Sequence, residues 1–327
     1  MKRSVLVTLN ITDSRQLLDI EGLLQDAEET LADKHRDEEE SKRGDLRGGN
    51  SGIMTDDGRI FGNCHRIAYA RYLGIEEPKE HGERTITQTR KFFQGGIANE
   101  NTWFELLLAK WPAECILRES QIPTMWSIQN SKGEDVRITG RPDLVLRDPG
   151  TMSLMSGYEL KCVSSAWRAG LIFKEQLPSS DYLCQAAHYS WQLAIPFTLS
   201  FSSYCSFYAI QPGRMHFYTG WKDDQLYVRH PLTGKIFSTV ITPQGIKNFY
   251  GLIIAMSEEK ELGPMFCEMK KNKKDEWVYV APPSVYGDNK GEFPKCKSCP
   301  FRTACERFQD HDTWVDAVTE ISKGGEI

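Results

Sequence analysis

The sequence predicts an α/β or α+β fold, and three observations carry that expectation. Helical and strand periodicities interleave along the chain. The turn Arg147-Asp148-Pro149-Gly150 joins two alternating stretches, residues 144–146 and 157–163, in the manner of an antiparallel hairpin. The 327 residues are 40% hydrophobic, enough for a sizeable core in one large domain or two.

Taken in order, residues 4–9 read as a short strand, and a helix follows from Asp13 with Asp13 or Ser14 as its cap. Leu17, Ile20, Leu24, Ala27 and Leu31 make one apolar stripe. With fewer than three heptads, that stripe is expected to pack on its own chain, and assembly into a homo-oligomer is left open. Residues 35–52 are acidic and then glycine-rich, a solvated linker. This divides the chain into an N-terminal extension, 1–55, and a main domain, 56–327.

Within the main domain, a short helix is expected after Cys64, ending at Gly74. A longer helical stretch covers 84–111 with an interruption at Gly95-Gly96, its apolar side carrying Trp103, Phe104, Leu107 and Leu108. Strand-like runs at 114–128, 136–147 and 155–163 make a sheet of mainly antiparallel strands. A helix over 180–194 puts Gln185 and Tyr189 on one face, at i and i+4. Strands follow near 198–210, 214–219 and 225–230, then a helix from about Pro243 to Leu262 with Phe249, Leu252, Ile253 and Met256 inward. A final helix is expected over 303–321, bearing Trp314 and Val315.

Composition excludes some classes. No apolar run is long enough for a membrane span, and Lys2 and Arg3 precede too short an apolar patch for a signal peptide. Nine cysteines, an odd number with no secretory signal, point to a reducing, cytoplasmic setting and to thiol or metal chemistry. The net charge of −5 does not advertise nucleic-acid binding. The first fifty residues, however, hold 8 basic and 12 acidic side chains, which leaves the body nearly neutral. Lys270-Lys271-Asn272-Lys273-Lys274 is the densest basic run, and Trp167 beside Arg168 offers a base-stacking and phosphate-contacting pair.

The predicted hairpin brings Asp143 towards Glu159 and Lys161, which share a strand face. Two carboxylates and an ammonium in one place are costly unless a hard divalent cation, Mg2+ or Mn2+, neutralises the repulsion. That is the layout of metal-assisted phosphodiester hydrolysis, although a surface salt bridge uses the same residues. A second constellation is Cys296-x-x-Cys299 followed by Cys305. Thiolates at this spacing favour zinc or iron–sulfur ligation. A fourth ligand is needed, and Cys64 would clamp the two ends of the domain together. Cys115, Cys162, Cys184, Cys205 and Cys267 lack matching spacing and read as packing residues.

Gly140-x-Pro142-Asp143, then Glu159-Leu160-Lys161, then Gln185-x-x-x-Tyr189 resemble the PD-(D/E)XK nuclease superfamily in its RecB-like branch, over roughly residues 60 to 308. With the four cysteines, the pattern is similar to the iron–sulfur CRISPR-associated RecB-like exonucleases and the AddB nuclease domain. The resemblance implies a restriction-endonuclease-like core, a mixed central sheet flanked by helices, with an iron–sulfur subdomain joining its ends. It implies a Mg2+- or Mn2+-dependent DNA exonuclease, with endonuclease activity left open, acting on single strands or duplex ends. Asp143 and Glu159 would bind the metal with the Leu160 carbonyl, Lys161 would position water, and Gln185 and Tyr189 would shape the DNA side. Cys64, Cys296, Cys299 and Cys305 would hold a 4Fe–4S cluster. One departure is Asn99, which stands where the branch carries histidine, so Glu100 becomes the candidate further metal ligand, with Asn99 as an assisting carbonyl donor and an exposed helical glutamate as the open alternative. The alternative is a DNA-end-binding scaffold that keeps the fold without turnover.

Overall fold

The computed structural model describes residues 46–325 apart from 48–50, 76–85, 119–120, 123, 164–176, 204–212, 264, 268, 281–283, 287–295 and 297–298. The chain divides into two units, Met1–Gly44 and Asp45–Ile327, and every described residue belongs to the second. The expected strand at 4–9 and the helix from Asp13 lie outside the described residues.

The second unit begins with β1 (Leu46–Arg47), β2 (Gly52–Met54), β3 (Ile60–Gly62), α1 (His65–Tyr72) and α2 (Ile86–Leu108). Strands β4 (Ile116–Arg118), β5 (Thr124–Gln129), β6 (Asp135–Gly140), β7 (Leu144–Arg147) and β8 (Leu154–Val163) follow, then α3 (Ser180–Leu193). Next come β9 (Phe197–Ser203), β10 (Gly213–Lys222), β11 (Gln225–Arg229), β12 (Ile236–Ser238) and α4 (Pro243–Glu259). The chain closes with β13 (Met269–Lys271), β14 (Trp277–Tyr279), α5 (Arg302–Arg307) and α6 (His311–Ser322).

The central sheet has seven strands in the order β12-β11-β10-β9-β8-β7-β4. It is mixed: β8 and β9 run parallel, joined by the crossover that contains α3, and the other neighbours are antiparallel. Side-chain alternation along β8 sends Glu159 and Lys161 to one face and Tyr158, Leu160 and Cys162 to the other. Helix α3 covers the first face, with Tyr182 against Phe201, ring centroids 5.7 Å apart. Helix α2 covers the second, where the Trp103 indole N–H donates to Ser202 Oγ at 3.2 Å and its ring lies 6.4 Å from that of Tyr158.

The β8–β9 pair is held close by a glycine. Gly157 is registered opposite Phe197, and a Cβ built on it would meet that ring at 2.2 Å. Any larger residue forces the aromatic out of the core. Helix α3 is buried on most of its surface, from Leu183 to Ser190 with the exception of Gln185. It stops at Ala194, which takes the left-handed conformation (φ 53°) two residues before Pro196. Helix α4 starts at Thr242, whose hydroxyl accepts the Gly245 N–H at 2.9 Å, with Pro243 in the first turn. Phe249, Ile253 and Met256 point inward as expected.

Four expectations are corrected. Strands β5 and β6 do not join the central sheet: they form a separate three-stranded sheet with β1, which lies parallel to β6. Leu46, read as linker, and Ile53, placed with the N-terminal extension, are buried in the core. Helix α2 runs unbroken through Gly95-Gly96, because packing of its far end on the sheet outweighs glycine's poor helix propensity. The single C-terminal helix is two, α5 and α6, because Asp310 caps the second, accepting the Thr313 N–H at 3.1 Å.

Candidate functional site

The first site forms where β7 and β8 part. The register pairs Leu144 with Tyr158, so the next ladder positions would set Asp143 opposite Glu159 and Pro142 opposite Leu160. Proline has no N–H to give the ladder, and pairing ends there. The Asp143 carboxylate takes over, Oδ2 accepting the Leu160 N–H at 2.6 Å. The carboxylate of Asp143 is thereby fixed beside that of Glu159, which is 1% exposed.

Lys161 donates to Glu159 Oε1 at 2.5 Å, and its side chain keeps 23% exposure. Burial alone would lower the lysine's pKa, but Glu159 and Asp143 outweigh it and hold the ammonium above its ordinary value. Lys161 is therefore a cation throughout the physiological range. Tyr189, one helical turn after Gln185, accepts the Gln185 amide N–H at 3.5 Å. Burial, then the negative charge of Glu159, raises its pKa well above the usual phenol range, with Gln185 opposing, so it stays a protonated donor.

Thus Asp143, Glu159, Lys161, Gln185 and Tyr189 are brought together between β8 and α3. Glu100 is half-buried on α2, next to the wholly buried Asn99. Trp167 and Arg168 lie outside the described residues. One neighbour was missed. The Lys161 ammonium stands 5.3 Å above the Tyr182 ring, a cation–π contact that helps fix its position. The signal was present: Tyr182, Gln185 and Tyr189 follow i, i+3, i+7 on one helix face.

The second site is a cavity of about 10 Å3 lined by Cys64, Cys296, Cys299 and Cys305. Sequence spacing had grouped three of these, and the fold adds the fourth from the other end of the unit. Cys64 is the N-cap residue of α1, its side chain making no capping hydrogen bond. Burial pushes its thiol up to about 12. The Cys305 sulfur accepts the Trp314 indole N–H at 3.3 Å. Such N–H donors suit a sulfur that carries negative charge. Cys267, read as a packing residue, is wholly buried beside Cys296, whose backbone N–H points at its sulfur at 3.5 Å.

Among the described residues, no group of three or more His, Cys, Asp or Glu is arranged to hold a metal ion directly. No helix among them is long and apolar enough to cross a membrane. No family model and no curated protein matches the chain.

Proposed function

We propose that this chain is a metal-dependent deoxyribonuclease of the PD-(D/E)XK type, an exonuclease hydrolysing phosphodiester bonds in single strands or at duplex ends. The observation that carries the reading is the meeting of Asp143, Glu159 and Lys161 at the point where β7 and β8 part, beneath Gln185 and Tyr189.

The donor set fits a hard divalent cation. Of the three charges that act on one another here, two are carboxylates and one is an ammonium, and oxygen ligands are what Mg2+ and Mn2+ take. Asp143 and Glu159 would hold the ion with the Leu160 carbonyl, and it would supply Lewis-acid polarisation of the scissile phosphate. The rest is work for the protein. The Leu160 N–H orients Asp143. Lys161, held charged and oriented by Glu159 and Tyr182, stabilises negative charge growing on the phosphoryl oxygens. Tyr189, kept protonated, and Gln185 offer hydrogen bonds to the strand.

The four cysteines fit a thiolate-bound metal centre, and in this reading they hold a 4Fe–4S cluster. Its role is structural, joining the segment before the core to the segment after it. The thiols serve zinc equally well as donors. Metal analysis decides between them without touching the nuclease reading.

One observation favours the alternative of a DNA-end-binding scaffold: the Lys161–Glu159 ion pair itself offsets the charge of that carboxylate. Purified protein incubated with labelled single- and double-stranded DNA, with and without Mn2+, separates the two. Mn2+-dependent release of nucleotides supports the enzyme, and binding without release supports the scaffold.

A further inference from the structure

Arg66 stands two residues after Cys64, in the first turn of α1, and lines the same cavity as the four cysteines. It is only 2% exposed. Its Nε and Nη2 donate to the Gly263 carbonyl at 2.9 and 2.5 Å, and Nη2 also reaches Gln309 Oε1 at 3.5 Å. Both acceptors are neutral. Nη1 is buried with no acceptor among the described residues. An arginine cannot shed its proton to escape that cost, so a buried guanidinium calls for a negative partner. No carboxylate of the cavity supplies one: its lining is Arg66, Arg302, the four cysteines and apolar side chains. Arg302 is the more open of the two cations, 47% exposed and 3.9 Å from Glu306.

We propose that Arg66 is the fixed counter-charge of the four-cysteine centre, its buried guanidinium offsetting the net negative charge that four thiolates give a bound metal. Four thiolates outweigh the charge of Zn2+, or of a 4Fe–4S core, by about two, so the same need arises with either. Arg66 is close enough for its charge to act on the Cys64 sulfur. Away from solvent, that attraction is weakly screened. It favours the loaded state, whereas the empty state keeps a buried cation with nothing to balance it. Arg66 is a positioning residue and not a ligand, because a guanidinium has donors and no lone pair to give. The inference rests on the four-thiolate reading and is independent of the nuclease reading.

The test uses the full-length chain, reduced and freed of metal without oxygen, then titrated with Zn2+ against a chromophoric chelator. Arg66→Gln keeps a donor for the Gly263 carbonyl and loses the charge. Arg66→Met keeps the aliphatic length and loses both, and Arg66→Lys keeps the charge. Zn2+ affinity should fall about tenfold or more in Arg66→Gln and Arg66→Met, while Arg66→Lys stays near wild type. Melting of the metal-free and Zn2+-loaded forms separates charge from packing. Arg66→Gln should melt at or above wild type without metal and below it with metal. An equal drop in both forms, or failure of both uncharged variants to fold without metal, would make Arg66 a packing residue and overturn the proposal. So would unchanged Zn2+ affinity in the uncharged variants, or Arg66→Lys binding as weakly as they do. Wild-type protein that takes up neither Zn2+ nor, when prepared without oxygen, iron would overturn the four-thiolate reading and this inference with it.

Discussion

The carboxylate of Asp143 accepts the backbone N–H of Leu160 at 2.6 Å, at the ladder position where Pro142 offers no N–H of its own. One side chain thus closes the end of a strand pair and presents charge to Glu159. The two roles separate by mutation. Asp143→Asn keeps an acceptor for Leu160, so its melting temperature should stay near wild type while Mn2+-dependent cleavage is lost. Asp143→Ala leaves a partly buried N–H unpaired and should lose about 1–3 kcal/mol of stability as well. Equal stability of Asn and Ala variants in urea titrations would refute the strand-closing role. Full cleavage by Asp143→Asn would refute the catalytic one.

Lys161→Ala leaves Glu159, 1% exposed, without its ammonium. Breaking such a pair costs roughly 3 kcal/mol, and less here because the Lys161 side chain keeps 23% exposure. If Asp143 and Glu159 bind a divalent cation, Mg2+ should restore part of that loss, raising the melting temperature of Lys161→Ala more than that of wild type. Cleavage should remain absent even with the metal. Calorimetry over a Mg2+ series reads the first effect. An identical response of both proteins to Mg2+ argues against the metal site and for the scaffold. Glu100→Ala decides that residue's part: loss of the Mg2+ response and of cleavage makes it a metal ligand, and no effect removes it from the set.

His188 lies among the rings of Trp126, Tyr189 and Tyr250, and neither of its ring nitrogens has a hydrogen-bond partner. Burial lowers its pKa from 6.5 to about 3. Between those values the unfolded chain binds the proton and the folded chain does not. Stability is therefore unaffected by this residue above pH 6.5 and falls as pH drops towards 3, by at most about 1.4 kcal/mol per pH unit. His188→Phe keeps a ring of similar size and removes the titration. Between pH 7 and pH 5, wild type should lose about 2 kcal/mol more than the variant in urea titrations. Parallel losses would show that His188 is not buried neutral.

The hairpin that carries Asp143 and Glu159 was legible because its signals are local. Alternation fixed the faces, and Asp148 braces the turn by accepting the Gly150 and Thr151 N–H groups at 2.9 and 2.8 Å. The three-stranded sheet was not legible. Leu46–Arg47 is two residues long in a glycine-rich stretch, and its partner Ile138–Thr139 is remote in sequence. Long-range pairing of so short a strand leaves no periodicity to read. Cys267 is wholly buried, as a packing residue should be, and only tertiary packing sets it against Cys296, which its spacing does not mark. Asp310 is a different case. Its capping pattern with Thr313 stood in the sequence, but the apolar stripe on either side was read as continuous.

Cys64 reaches the cavity of Cys296, Cys299 and Cys305 from the N-cap of α1, far from them in sequence. In the four-thiolate reading it is an equal ligand, so Cys64→Ser should cost as much bound metal as any of the three C-terminal changes. Protein prepared without oxygen should be brown with about four irons per chain. Cys115→Ser, with its thiol beside Met152 and not at the cavity, should keep that content. Trp314→Phe tests the surroundings. It keeps an aromatic ring in the core but removes the N–H that Cys305 accepts at 3.3 Å, so the metal should load and then be lost faster to chelator. Because metal binding to a site joining distant segments is also folding free energy, apo protein and Cys64→Ser should melt lower and be cut faster by protease. Stoichiometric zinc without iron would replace the cluster by a zinc centre on the same thiols. Full metal content in Cys64→Ser would remove Cys64 from the ligand set and direct attention to Cys267, the remaining sulfur against Cys296.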